Sequence, residues 1–240
     1  MAEDKTAALR RRFYKNVGVE DADGGFLIVL DARPVKTPGK ASVVVATRAL
    51  AEAIASEWDA QGEKIDPHAM PLTQIACTAI DKVAPNRDEI SAQVVRYAGA
   101  DLLCYRVDNP ADLVARQLEE WQPVLDWLAT AQGIALRTTT GLIAEDQDPV
   151  AMERALAAVD TLDDHELAAM AVMVQTTGSF ALTMAVINGH LGWERAADAS
   201  QLDEIYQSEL WGADREAEQR LRGLRNDIEA AARYLTLHRT

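Results

Sequence analysis

The chain has 240 residues, enough for one large domain or two small ones, and 48% of them are hydrophobic, so it can bury a sizeable core. With 38 acidic against 24 basic residues its net charge is −14, a surface that repels phosphate backbones and anionic lipids, so nucleic acid and membrane surfaces are poor partner candidates and neither nucleic-acid binding nor membrane insertion is expected. Two cysteines, Cys77 and Cys104, form no CxxC pair and no metal-ligand spacing, as expected of reduced thiols in a reducing compartment.

The N-terminal stretch MAEDKTAALRRR has no apolar core, no small-residue cleavage site and early acidic residues, so it reads as neither a secretory signal nor a transit peptide. The basic cluster Arg10, Arg11, Arg12 and Lys15 reads as a solvated strand edge, with contact to an acidic partner as the alternative. Arg11–Val19 is rich in aromatic and β-branched residues, Asp21–Gly25 is a turn cluster, and Phe26–Leu30 is a continuous apolar run. A third run spans Ser42–Val45, and together they predict a small antiparallel sheet.

Thr47 is a plausible N-cap, after which Leu50, Ile54 and Trp58 mark one helical face. Helices follow over Leu72–Val83 and over Arg87–Tyr97, the second capped by Asn86. Asn109-Pro110 opens another, with Pro123 expected to kink it, and Asp148-Pro149 opens a short one to Val159. Asp163 and Glu166 have capping-box spacing. They start a long apolar helix that carries no Asp, Glu, Lys or Arg from Leu167 to Ile187 and ends at Gly189 and Gly192. The polar belt Gln175–Ser179 makes this the centre of a soluble helical core rather than a membrane span. Trp193–Trp211 is helical again, and the last helix, Asp214–Leu237, carries the seam Ala217, Leu221, Leu224, Ile228, Ala231 and Leu235, which packs on another helix or on a partner. The predicted fold class is α+β, with a small β domain at 1–47 and a helical domain at 48–240.

Chemistry is hard to find. His68, His165, His190 and His238 lack zinc spacing, there is no G-x-S-x-G elbow, and no phosphate-binding glycine loop follows a strand. Neither a metal site nor a cofactor is expected, and a binding protein is favoured over an enzyme. The competing readings are a hydrolase or transferase built from dispersed residues and a scaffold that dimerises through the last helix. Five tryptophans outnumber three phenylalanines, which suits core anchors or an interface. Glu209 lies where a helix stops beside Trp211 and could be partly shielded.

An ordered set of motifs resembles one family. It comprises Arg12–Lys15 (RFYK), Leu30–Pro38 (LDARPVKTP), Ile54–Gln61 (IASEWDAQ), Met70–Thr73, Thr78–Asp81, Asp101–Arg106 (DLLCYR), Gln117–Trp127 and Leu210–Gly212 (LWG). The family is the assembly chaperone for the alpha subunit of the F-type ATP synthase catalytic head. The resemblance implies a small β domain followed by a helical one, a protein that is not an enzyme, and no cofactor. It also implies a partner, the unassembled alpha subunit, which is kept from aggregating until it pairs with beta. Relatives occur in mitochondria and alpha-proteobacteria, so a bacterial cytoplasm is the expected location here. A client holder needs an apolar or aromatic surface on a charged exterior, and Trp58, Met70, Glu209 and Trp211 are the candidate client-binding residues.

Overall fold

The structure is a computed structural model, and it describes residues 9–140, 145–212 and 214–240; most of the N-terminal stretch read for targeting signals, residues 1–8, lies outside them. Strand β1 (Val17–Ala22) pairs antiparallel with β2 (Gly25–Leu30), from Val17 opposite Leu30 to Ala22 opposite Gly25. The expected first strand therefore starts later than Arg11, because residues 10–12 pair instead with 63–65, through Arg12 N to Glu63 O and Ile65 N to Arg10 O. Gly25 has φ +151°, and a Cβ there would sit 2.2 Å from the Val45 carbonyl oxygen, so only glycine fits where the strands cross. Two short strands share the far edge of β2: β3 (Arg33–Pro34) at its end and β4 (Val44–Val45) at its start. The β2–β3 turn, Asp31-Ala32, has positive φ at both residues, the primed geometry that suits a two-residue hairpin.

Thr47 does cap helix α1 (Arg48–Asp59), accepting from Leu50 N, and its hydroxyl also donates to Leu237 O at 2.6 Å. The expected β-to-helix boundary thus falls on a residue tied to the chain's last helix. Helix α2 (Pro71–Thr78) runs into a π turn over Ala79–Val83. Then come α3 (Arg87–Gly99) and α4 (Ala111–Ala131), which continues unbroken through Pro123. The Asn86 side chain does not cap α3 but donates to Lys82 O. A pair of two-residue parallel strands, β5 (Tyr105–Arg106) and β6 (Thr139–Thr140), was not foreseen; it is too short to leave a periodicity.

Helix α5 (Pro149–Asp160) starts where expected, and α6 (Asp164–Thr177) begins with the foreseen capping box. The long apolar helix, however, is two helices: α6 stops at Gly178, whose φ is +67°, and α7 (Phe180–Ile187) restarts after Ser179. At the break sits Asp101, which is fully buried. Its carboxylate accepts from Ser179 Oγ and Ala181 N at 2.8 Å each and from Leu103 N at 2.9 Å. Burial raises its pKa to about 6, against the hydrogen bonds that pull it down. The region from Trp193 to Trp211 is likewise split, into α8 (Trp193–Ser200) and α9 (Leu202–Trp211).

The last helix, α10 (Arg215–His238), is capped by Asp214, and its seam residues Ile228, Ala231 and Leu235 are buried within the chain, α10 packing most extensively on α6. One continuous apolar core runs from Tyr14 and the sheet to Leu235. The fold is α+β as expected, an N-terminal antiparallel sheet followed by helices. No helix among the described residues is long and apolar enough to cross a membrane.

Two measurements check this packing. Asp101→Ala leaves three buried donors without an acceptor, at about 1–3 kcal/mol each, so denaturant unfolding should show a loss of about 3 kcal/mol or more. At the junction of α6 and α10, His165 Nδ1 meets the Tyr234 hydroxyl at 2.6 Å and its ring stacks on His238 at 5.2 Å. Burial, with His238 as a like charge beside it, holds His165 below its ordinary pKa. The unfolded chain then takes up a proton there more readily than the folded one, so this stability is present at neutral pH and is lost as pH falls below about 6.5. A His165→Gln variant should lose less stability than the parent between about pH 7 and about pH 5.

Candidate functional site

A helix end leaves backbone carbonyls without partners, and the end of α1 lies in the sequence Glu57-Trp58-Asp59-Ala60-Gln61. Arg12 meets that need. Its guanidinium donates to Asp59 O at 2.9 Å, to Gln61 O and to Tyr14 O at 3.3 Å, and pairs with the Asp59 carboxylate at 3.3 Å. The Tyr14 hydroxyl donates to Trp58 O at 2.6 Å, and its ring meets Trp58 edge-on. Arg12 is therefore not the solvated strand-edge residue that its basic cluster suggested. Extended backbone alternates its side chains, so with Arg12 and Tyr14 turned onto α1, Phe13 between them points outward. Tyr14 is 5% exposed and Phe13 56%.

Phe13 stands at the side of a groove of about 570 Å³, whose floor includes Leu30, Val35, Trp58, Ile65 and Met70. Two further contacts fix that floor. The Glu57 carboxylate accepts from Leu72 N at 2.7 Å, from Thr73 N at 2.8 Å and from the Thr73 hydroxyl at 2.7 Å. It thus caps α2 from outside and holds Met70 beside Trp58; burial raises its pKa against these bonds. Gln61 accepts from Asp66 N and donates to Glu57 O, closing the loop that carries Ile65. Away from the groove lining, Asp81 accepts from the Thr37 hydroxyl at 2.7 Å and from Gly39 N, which docks the loop after β3. The rim is basic: Arg10, whose guanidinium lies 4.5 Å from the Phe13 ring centroid, with Arg33 and Lys36.

The structure brings Trp58 and Met70 together: Trp58 is half-buried and Met70 is 4% exposed. It places Glu209 and Trp211 elsewhere, at the end of α9. There Leu210 is 56% and Trp211 78% exposed, before Gly212 at φ +89°. Glu209 pairs with Arg116 at 2.7 Å, both side chains about half exposed. The other tryptophans serve the core; Trp121 is buried and donates to Ala199 O at 2.8 Å. Reasoning from the sequence missed Phe13, Arg10, Arg33 and Lys36 as groove residues. The alternation Arg12-Phe13-Tyr14-Lys15 was the available signal.

Other places offer less. A cavity of about 620 Å³ between α7, α8 and α10 contains Arg239, already committed to Glu166 and to Ile187 O. Burial pushes the Cys77 thiol up to about 11 and Cys104 up to about 12, so both are protonated at neutral pH. Among the described residues no group of three His, Cys, Asp or Glu is placed to hold a metal.

Comparison with known proteins is consistent over most of the chain. Residues 11–129 match the family described as ATP12 chaperone protein. The mitochondrial protein atp12 of Schizosaccharomyces pombe is 30% identical over 215 residues, covering 85% of this chain and 74% of that protein. The crystal structure of Atp12 from Paracoccus denitrificans has 43% identity and a TM-score of 0.90, over 95% of this chain and 98% of that one. The Atu1473 protein of Agrobacterium tumefaciens has 39% identity and a TM-score of 0.91, over 95% of this chain and 86% of that one.

Glu209→Lys breaks an exposed ion pair, worth about 1 kcal/mol at most, so the melting transition should barely move. Arg12→Ala should cost more, because three carbonyls lose their donor, and should also release Phe13 from its position, read as a change in protease susceptibility around residue 13.

Proposed function

The chain belongs to the ATP12 chaperone family, and from that premise we propose that it binds the unassembled alpha subunit of an F-type ATP synthase. Held in this way, alpha stays out of aggregates until it pairs with beta. The action is binding and release, with no reaction catalysed. The site of action is the cytoplasm of a bacterium, and the mitochondrial matrix for eukaryotic relatives.

One observation carries the reading: an exposed phenylalanine held over an apolar groove by the motif residues themselves. Arg12, Tyr14, Glu57 and Gln61 all serve to fix the position of Phe13, Trp58 and Met70. A large apolar side chain left in water is normally a surface accident, but here four hydrogen-bonding side chains fix its surroundings. An unassembled subunit exposes the apolar area that its partner will later cover, and a preformed aromatic groove is a fit for a part of it. The groove is small compared with a permanent interface, which suits a holder that must let go. The exposed pair Leu210 and Trp211, with Glu209 beside them, supplies a second contact region on α9. In this scheme the β unit at 1–47 contributes the rim and Phe13, and the helical unit at 48–240 contributes Trp58, Met70 and the α9 tip.

Retention of isolated alpha subunit on the immobilised chain tests the reading. Phe13→Ala removes an exposed ring, so stability should stay within about 0.5 kcal/mol of the parent. Client affinity should fall about tenfold or more, roughly 1.4 kcal/mol. Trp58→Ala should weaken the client and also lower stability, since Trp58 packs on Tyr14. If the parent chain retains no alpha and does not suppress its aggregation, the client assignment is wrong.

A further inference from the structure

We propose that the groove beside Phe13 selects by charge as well as by apolarity, and that the client segment it takes has an apolar centre flanked by carboxylates. This rests on the reading that the groove holds the client, and goes further by stating what the held segment is made of. The chain carries 14 more acidic than basic side chains, 38 against 24. Yet the described residues that line this groove include Arg10, Arg33 and Lys36 and no Asp or Glu. All three are exposed. Arg10 and Arg33 have no ion-pair partner among the described residues, and Lys36 Nζ donates to the neutral Ser42 hydroxyl at 2.7 Å.

The hollow between α7, α8 and α10 is also lined by a cation without Asp or Glu, but that cation, Arg239, is paired with Glu166; two other hollows differ from the groove. The one between α4, α8 and α9 is lined by Glu119, Glu120 and Asp198 with two arginines, and the one under the α9 tip by Glu204, Asp214 and Glu218 with Arg220. An acidic client segment is repelled over most of such a surface and attracted at the groove. Cations at the rim of an apolar floor act with less solvent screening than on an open surface, and guanidinium groups can grip a carboxylate with two parallel hydrogen bonds. The floor takes the apolar centre of the segment, and Arg10, Arg33 and Lys36 in the lining meet the carboxylates that flank it. The competing occupant is a second copy of the chain, because Leu210 and Trp211 are themselves an apolar pair close to Glu209, Asp214, Glu216 and Glu218.

The test uses the full chain and short labelled peptides that share one leucine and phenylalanine core, flanked by glutamates in one and by lysines in the other, with anisotropy as readout. The glutamate-flanked peptide should bind about tenfold or more tighter at about 50 mM salt, and the advantage should shrink toward about 500 mM. The double substitution Arg33→Glu with Lys36→Glu should reverse the preference without moving the melting transition. Equal binding of the two peptides, or a preference that survives charge reversal, overturns the proposal. So does light scattering that shows self-association abolished by Trp211→Ala, since a second copy then fills the groove. Isolated alpha subunit separates this proposal from the one beneath it. If the parent holds alpha and the charge-reversed variant holds it equally well, the client reading stands and the charge selection falls. If the parent does not hold alpha but the peptide preference is present, the client reading falls alone.

Discussion

The carbonyl groups left open at the end of α1 are the constraint around which the N-terminal half is organised. A helix end inside a packed structure needs donors, and this chain supplies them from residues more than forty positions away, Arg12 and Tyr14. Satisfying α1 fixes the segment that precedes β1 against the loop at 63–65. The alternation of an extended chain then leaves Phe13 no direction but outward. The same helix end uses Glu57 to cap α2 and Gln61 to shape the connecting loop, so Trp58, Ile65 and Met70 form one floor. A motif that looks like a recognition sequence, EWDAQ, is thus mainly a device for geometry. What it leaves in the groove is one side chain of its own, Trp58, beside one from RFYK, Phe13.

The helical half follows the same rule with a buried charge. Asp101 sits where the apolar stretch from Asp164 to Ile187 divides into α6 and α7, and α7 packs against α4 and α8. Such a carboxylate is tolerable only because three donors converge on it. Arg106 and Gln117 extend the arrangement: Arg106 reaches Leu103 O and Gln117 O, and the Gln117 side chain bridges Val107 N to Asp203. DLLCYR and the α4 motif therefore hold the core, whereas LWG stays largely in solvent, with Trp211 78% exposed.

What could be read without coordinates was local. Thr47, the Asp163 and Glu166 box, Asp148 before Pro149 and Asp214 all act within a few residues, so spacing alone locates them. The buried seam of α10 was legible as a stripe, though not whether its partner lay within the chain. The bonds at the break come from a carboxylate 78 positions before Ser179, and the role of Arg12 involves a helix end 47 positions later. Neither leaves a periodicity. Of the four candidate site residues, Trp58 and Met70 meet in the groove, while Glu209 and Trp211 mark a separate place. Phe13 was passed over because an aromatic in a β-like run reads as core until its neighbours are seen to take the inward direction.

The most direct test of the account is a contact measurement at position 13. A photo-crosslinking phenylalanine analogue placed there, in the full chain with isolated alpha subunit, should join the two proteins in high yield. The same analogue at Val150, which is 53% exposed on α5, should not. A complex that forms normally yet crosslinks no better from position 13 than from position 150 would contradict the claim that the groove beside Phe13 holds the client.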